Sequence, residues 1–154
     1  MNIGIIVYSQ TENTYSVALK LQEKLSEDGN SVNVQRVVLA GDVDSWSKDI
    51  TLETAPDIEG YDALIFGSPV HAFSLAKAMS AYLNQLPSLE HKKIACFVTK
   101  GMPLNWTGGN QAISQMKKTC QSKGGTVIGT EIVVWNKKRD KNIAELAERF
   151  SGLF

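Results

Sequence analysis

The chain has 154 residues, of which 43% are hydrophobic and 21% are charged. This length is typical of one domain, spanning residues 1–154, and the composition excludes disordered, collagen-like and coiled-coil proteins. Sixteen basic residues balance sixteen acidic ones, so the net charge of zero indicates neither a nucleic-acid partner nor a membrane surface. Residues 1–62 nevertheless hold eleven acids and four bases, whereas residues 63–154 hold five acids and twelve bases. Surface patches therefore decide which partners the protein favours.

Cysteine usage and the N-terminus bear on location. Cys96 and Cys120 form no C-x-x-C pair and lie in apolar segments, so we expect two buried, reduced thiols. No apolar run reaches the roughly 18 residues of a membrane span, and the N-terminal segment NIGIIVYSQT has neither a basic leader nor a cleavage signal. These observations predict a cytoplasmic protein without membrane insertion.

Five apolar stretches rich in β-branched and aromatic residues recur along the chain. Their first residues are separated by steps of 29, 31, 31 and 33 residues, which is the rhythm of β-α-β units. They are Ile3 to Tyr8, Val32 to Val38, Ala63 to Gly67, Ile94 to Thr99 and Val127 to Val134.

Helical patterns with apolar residues at i, i+3, i+4 and i+7 lie between the stretches. In chain order their apolar stripes are Val17, Leu21 and Leu25; Leu75, Met79, Tyr82, Leu83 and Leu86; Ile113, Met116 and Cys120; and Ile143, Leu146, Ala147 and Phe150. The run Asp28-Gly29-Asn30 predicts the end of the first helix. The acid-rich segment 40–59 predicts a poorly regular helix or a loop.

The strands differ in pattern, and this difference predicts their places. The first, third and fourth are nearly continuous apolar runs, as is typical of central parallel strands covered on both faces. The second alternates through Val32-Asn33-Val34-Gln35 and therefore suits an edge. We predict an α/β fold with a doubly wound five-stranded parallel sheet, strand order 2-1-3-4-5, in a three-layer sandwich.

In such a sheet, ligands bind beyond the carboxyl ends of the strands, where the strand order reverses. The first strand is followed there by Ser9-Gln10-Thr11-Glu12-Asn13-Thr14, with three hydroxyls immediately before a helix. Amides opening a helix, together with converging hydroxyls, form an anion site that needs no Lys or Arg, and a phosphate monoester fits it. The alternative is ordinary N-capping, for which one of these side chains would suffice.

Two further loops reach the same edge. Residues 67–73 follow the third strand and residues 100–110 follow the fourth, the latter being long and rich in Gly and Pro. Trp106 either offers a flat face to a ligand or folds back on the core, and His71 is either functional or an ordinary loop histidine. His91 is predicted in a solvated turn at the opposite edge. Lys137, Lys138, Arg139 and Lys141, here called the basic cluster, are predicted in a solvated connection or helix start.

The residues of the first loop resemble the phosphate-binding motif of the flavodoxin-like family of FMN-binding proteins. Ser9, Thr11, Asn13 and Thr14 match this motif after the first strand, and Glu12 departs from it where the family usually has Gly. The resemblance covers the whole chain and implies that FMN is the cofactor. The residues implied to hold the phosphate and flank the ring are Ser9, Gln10, Thr11, Glu12, Asn13, Thr14, Ser68, Pro69, Val70, His71, Ala72, Phe73, Lys100, Gly101, Asn105, Trp106, Thr107, Gly108 and Gly109.

The resemblance leaves three functions open. The first is an electron carrier that docks on redox partner proteins, for which the acidic segment 42–62 is a candidate docking face. The second is an FMN-dependent NAD(P)H:quinone-type oxidoreductase with a small quinone-like acceptor, in which His71 is the candidate proton donor. The third is a cofactor-free interaction module of the same fold. We expect a monomer or weak homodimer, no nucleic-acid partner and no metal.

Overall fold

The five apolar stretches form the parallel strands of one sheet in the computed structural model, which describes residues 1–41, 50–101 and 108–154. The elements in chain order are β1 (Asn2–Val7), α1 (Asn13–Glu27), β2 (Ser31–Arg36), β3 (Val38–Leu39), β4 (Leu52–Thr54), β5 (Ala63–His71), β6 (Ser74–Leu75), α2 (Lys77–Gln85), β7 (Lys93–Lys100), α3 (Gly109–Ser122), β8 (Thr126–Val134) and α4 (Arg139–Ser151).

The strand order is β2-β1-β5-β7-β8, and every neighbouring pair along it is parallel. This confirms the predicted order 2-1-3-4-5. The second stretch lies at the edge, and its side chains alternate between exposed and half-buried, as its sequence pattern predicts. All five strands therefore end at one edge of the sheet, here called the carboxyl edge, and begin at the opposite amino edge.

The helices cover both faces of the sheet and create two apolar layers. α1 and α4 pack on one face through residues such as Leu21 and Leu146, and α2 and α3 pack on the other through residues such as Tyr82 and Met116. Cys96 and Cys120 lie in the second layer as free, buried thiols, as expected. No helix in the three described ranges combines the length and apolarity needed to cross a bilayer.

The third strand is longer than predicted. β5 continues to His71 and turns back through Ala72 and Phe73 to pair antiparallel with β6. This turn lacks the Gly or Asn that usually marks a two-residue hairpin, so the sequence carries no signal for it. Leu75, predicted on the second helix, belongs to β6; it is still buried, because strand and helix face the same layer.

The segment 40–59 also differs in part from its prediction. β4 lies within it and pairs antiparallel with β3, which forms a second sheet of two short strands. Residues 42–49 of this segment lie outside the described residues. Strands of two or three residues contain too few positions for an alternating pattern to be recognised in the sequence.

Candidate functional site

The hydroxyl loop, Ser9 to Thr14, joins β1 to α1 at the carboxyl edge. The Ser9 hydroxyl donates to the Thr11 carbonyl oxygen at 2.5 Å and accepts a hydrogen bond from the Tyr15 amide at 3.2 Å. Ser9 therefore caps one amide of the first turn. This is the ordinary N-capping role, for which one side chain is enough. Because its one proton is already donated, this hydroxyl shapes the loop rather than facing a ligand as a donor.

The neighbouring amides have no such partner. Within the described ranges, the backbone N–H groups from Gln10 to Thr14 donate to no protein acceptor. Consecutive amides at a helix N-terminus, with the positive end of the helix dipole behind them, favour an anion. The loop thus fits a phosphate group, because the amides from Gln10 to Thr14 remain as donors after Ser9 has capped the Tyr15 amide.

Thr14 ties the hydroxyl loop to the fourth strand of the sheet order. Its hydroxyl lies 2.8 Å from the Thr99 hydroxyl, and the two residues are 1% and 3% exposed. A buried hydroxyl pair of this kind is a strong constraint, because losing either partner leaves the other unsatisfied. The end of β7 is therefore held against the start of α1.

Glu12 points away from the loop. Its side chain is 69% exposed, and its carboxylate lies 3.3 Å from the Arg36 guanidinium. Its φ is −69°, so the backbone does not need the Gly that the family motif has at this position. The carboxylate is thus screened and directed outward.

Arg36 holds the hydroxyl loop in place from outside, and it was not predicted as a site residue. It donates to the Ser9 carbonyl oxygen at 3.0 Å and lies over the Tyr15 ring at 4.6 Å. Only the parallel register, which places Arg36 opposite Val7, brings it here. From the sequence, Arg36 could have been found only through its position at the end of the second strand.

The turn after β5 is held in an unusual conformation. Ala72 and Phe73 have φ of 47° and 63°, the left-handed region that non-glycine residues seldom adopt. Gly108, with φ of 101°, packs against this turn, where a Cβ would lie 2.3 Å from the Phe73 carbonyl carbon. The Leu75 amide also donates to the Gln115 side chain at 2.9 Å. The start of α3 therefore fixes the shape of the turn.

Tyr8 and His71 form an aromatic pair at the carboxyl edge, with ring centroids 6.1 Å apart in an edge-to-face arrangement. Burial lowers the pKa of His71 and raises the pKa of Tyr8 from their ordinary values. Both rings are therefore held in their neutral forms near pH 7. His71 was predicted from the sequence and Tyr8 was not; the available signal for Tyr8 was its place as an aromatic residue directly before the hydroxyl loop.

The remaining predicted residues that the structure describes lie at the ends of β5 and β7 and at the start of α3. Ser68 is buried, Pro69 and Val70 are half-buried, and Lys100 is 7% exposed, with its pKa lowered by burial. A Cβ on Gly109 would lie 3.3 Å from the Lys100 side chain, so the start of α3 covers this lysine. Gly101 is exposed next to it. Asn105, Trp106 and Thr107 lie outside the described residues.

Comparisons with known proteins identify the family of this chain. The family model described as Flavodoxin domain matches residues 5–133, and the chain belongs to this family. No curated protein sequence matches the chain significantly.

Solved structures resemble the whole fold at low sequence identity. Flavodoxin 2 from Bacillus cereus has a TM-score of 0.73 at 19% identity, with 100% of each chain covered. The flavodoxin from Streptococcus pneumoniae TIGR4 has a TM-score of 0.70 at 16% identity, again with 100% of each chain covered. A flavoprotein from Lactobacillus acidophilus, solved in complex with FMN, has a TM-score of 0.66 at 18% identity and covers 94% of this chain and 97% of its own. These likenesses show the flavodoxin fold.

Proposed function

We propose that this protein binds FMN and carries electrons between redox proteins. The observation that carries the proposal is the row of unpartnered amides from Gln10 to Thr14 at the start of α1. Membership of the flavodoxin family and the FMN complex of a structural neighbour support it. When bound, FMN supplies the electron-transfer chemistry through its ring.

The residues of this chain bind and position the cofactor. The amides of the hydroxyl loop hold the phosphate, the helix dipole of α1 stabilises its charge, and Arg36 keeps the loop in place from outside. The turn at Ala72 and Phe73, fixed by Gly108, forms the wall on the β5 side. Because His71 and Tyr8 are neutral, this wall places no full charge against the ring.

The second candidate is an FMN-dependent oxidoreductase that reduces a small quinone-like acceptor with electrons from a nicotinamide. The half-buried rings of His71 and Tyr8 favour it, because the neutral imidazole and the phenol can each donate a hydrogen bond to an acceptor oxygen at the carboxyl edge. The third possibility, a module without cofactor, depended on Glu12. This side chain faces solvent and pairs with Arg36, which removes the reason to expect a blocked loop.

FMN binding is tested by calorimetric titration of the protein, with riboflavin as the matched ligand that lacks the phosphate. We expect saturable binding of FMN and binding of riboflavin weaker by at least about tenfold, since the amides contact only the phosphate. Equal affinity for the two ligands, or no heat with FMN, would overturn the proposal. Stopped-flow reduction of the loaded protein with NADH and NADPH then separates carrier from oxidoreductase: a carrier is reduced slowly by both.

A further inference from the structure

The N-termini of α1 and α4 lie side by side at the carboxyl edge. The two helices run parallel on the same face of the sheet, and Lys24 of α1 lies 3.5 Å from Glu148 near their C-terminal ends. Toward the N-terminal ends, Ser16 of α1 lines the same groove as Trp135 and Arg139. The segment that opens α4 therefore lies next to the first turns of α1, which follow the hydroxyl loop.

The register of the sheet leads to the same placement. Val134, the last residue of β8, pairs with Lys100 at the end of β7, and the Trp135 amide donates to the Lys100 carbonyl oxygen at 2.7 Å. Residues that follow Trp135 consequently emerge at the carboxyl edge, beside the loops that surround the proposed FMN site. The basic cluster occupies this position, with all of its members exposed.

The basic cluster is unfavourable for the helix that it opens. The N-terminus of a helix carries partial positive charge and favours acidic residues, yet four bases surround this end and Asp140 is the acid of its first turn. In the described part of the chain, neither Lys137 nor Lys138 has a carboxylate within 4.0 Å, and Lys141 reaches Glu145 only at that limit. Positive charge that destabilises its own helix and faces solvent is typical of a surface kept for a partner.

Asp62, the last acidic residue of segment 42–62, lies at the opposite edge of the sheet from the basic cluster. The Asp62 carboxylate accepts a hydrogen bond from the Asn2 amide at 2.8 Å, and the Gly60 carbonyl oxygen accepts one from the Asn2 side chain. Asn2 begins β1, so Asp62 lies at the amino edge. Its carboxylate does not offset the positive charge at the carboxyl edge.

We propose that the basic cluster is the docking surface for an acidic redox protein, whose negative patch it draws to the edge where the flavin lies. The proposal rests on the proposed function for its flavin, and it names the sign of the partner's charge. Complementary charge steers the encounter of two proteins and orients them, and the effect weakens as salt is added. A basic partner would be repelled from this edge.

The first test maps anion docking without using electron transfer. Hexacyanochromate(III), a redox-inert paramagnetic trianion, is added to the FMN-loaded protein, and the broadening of backbone amide signals is followed by NMR. We expect the strongest broadening at residues 136–141 and its loss in the double variant Lys137→Glu/Lys138→Glu. The matched control is Lys117→Glu/Lys118→Glu, a second adjacent pair of exposed lysines on α3, which should keep the broadening.

Broadening spread evenly over the surface, or confined to Ser9 to Thr14, would overturn the docking proposal. The same titration is run on protein without FMN, where the two double variants are compared directly at residues 136–141. If FMN fails to bind, the proposed function is lost, yet this comparison still decides whether the basic cluster captures anions. The two failures are therefore distinguishable.

The second test measures rates with two small oxidants of opposite charge, ferricyanide and tris(phenanthroline)cobalt(III). For the reduced, loaded protein we expect ferricyanide oxidation to slow as salt is added and cobalt oxidation to accelerate. Lys137→Glu/Lys138→Glu should slow ferricyanide at low salt by at least about fivefold, and the Lys117→Glu/Lys118→Glu control by less than about twofold. Equal effects of the two variants would show that overall charge, rather than this surface, sets the rate.

Discussion

Two helices, α1 and α4, begin side by side at the carboxyl edge. The positive end of the helix dipole lies at both starts, but the residues placed there differ in charge. The start of α1 has hydroxyls and free amides, and its one carboxylate, on Glu12, points outward to Arg36. The start of α4 instead presents exposed bases, with the Lys138 amide already bonded to the Asn136 side chain at 2.8 Å. The first end can hold an anion within the protein, whereas the second adds positive charge that extends into solvent.

The largest effect is expected at a third helix start, where α3 touches the turn of β5. Gly108→Ala should destabilise the protein by about 3 kcal/mol, because the left-handed φ and the contact with the Phe73 backbone both oppose a Cβ. Gly60→Ala, with φ of 84° and no neighbour within 4 Å, isolates the conformational part and should cost about 1 kcal/mol. Urea unfolding measures both, and equal losses would mean that the contact is unimportant.

The next largest effect is expected at Thr14, where α1 is tied to β7. Thr14→Val keeps the shape but leaves the buried Thr99 hydroxyl without its partner, which should cost about 1 to 2 kcal/mol of stability. FMN affinity should fall by about tenfold as the hydroxyl loop loosens. Thr119→Val is the control, since its hydroxyl donates to the Gln115 carbonyl oxygen within its own helix. If Thr14→Val keeps the wild-type affinity for FMN, the bond between Thr14 and Thr99 supports the fold but does not shape the binding site.

A smaller effect of opposite sign is expected at α4. Lys138→Glu replaces a base at the positive end of the helix dipole by an acid and should stabilise the protein by about 0.5 kcal/mol. Chemical denaturation at low salt measures the gain, which should shrink as salt is added. A loss of stability would show that the basic cluster supports the helix, contrary to the contrast between the two helix ends.

Glu12 tests how far the start of α1 depends on charge. Glu12→Gly should leave FMN affinity unchanged or tighten it by up to about threefold, because the carboxylate is exposed and the backbone there does not need glycine. Glu23→Gln, an exposed carboxylate further along α1, serves as the control for calorimetry. A large weakening would mean that Glu12, through Arg36, holds the hydroxyl loop in its binding shape.

His71 is expected to make the stability of the protein sensitive to acid. Burial lowers the pKa of His71 in the folded protein, so the unfolded chain binds a proton more readily. Its contribution to stability is therefore complete above the ordinary histidine pKa and is lost as the pH falls through the lower value. His71→Gln should reduce the loss of thermal stability between pH 7.5 and 5.5. His91→Asn, in an exposed turn at the amino edge, is the matched variant, and an equal reduction by both variants would contradict a role specific to His71.

Much of the carboxyl edge could be predicted because its features are local. The apolar runs and their spacing were enough for the strand order, and the hydroxyls after the first strand indicated the loop that we propose as the anion site. The hairpin at Ala72 and Phe73 was missed because its turn has neither Gly nor Asn. Arg36 and Tyr8 were missed because each acts on a residue that only the sheet register brings near.

The sequence by itself determined the family, the order of the strands and the residues that open each helix, since periodicity and capping chemistry depend on near neighbours in the chain. Only the tertiary structure decided which of these groups are engaged. The hydroxyls of Ser9 and Thr14 have hydrogen-bond partners, whereas the amides from Gln10 to Thr14 have none among the described residues. The openings of α1 and α4 lie side by side. Those contacts join distant segments, so they depend on how the helices pack on the sheet rather than on any local pattern.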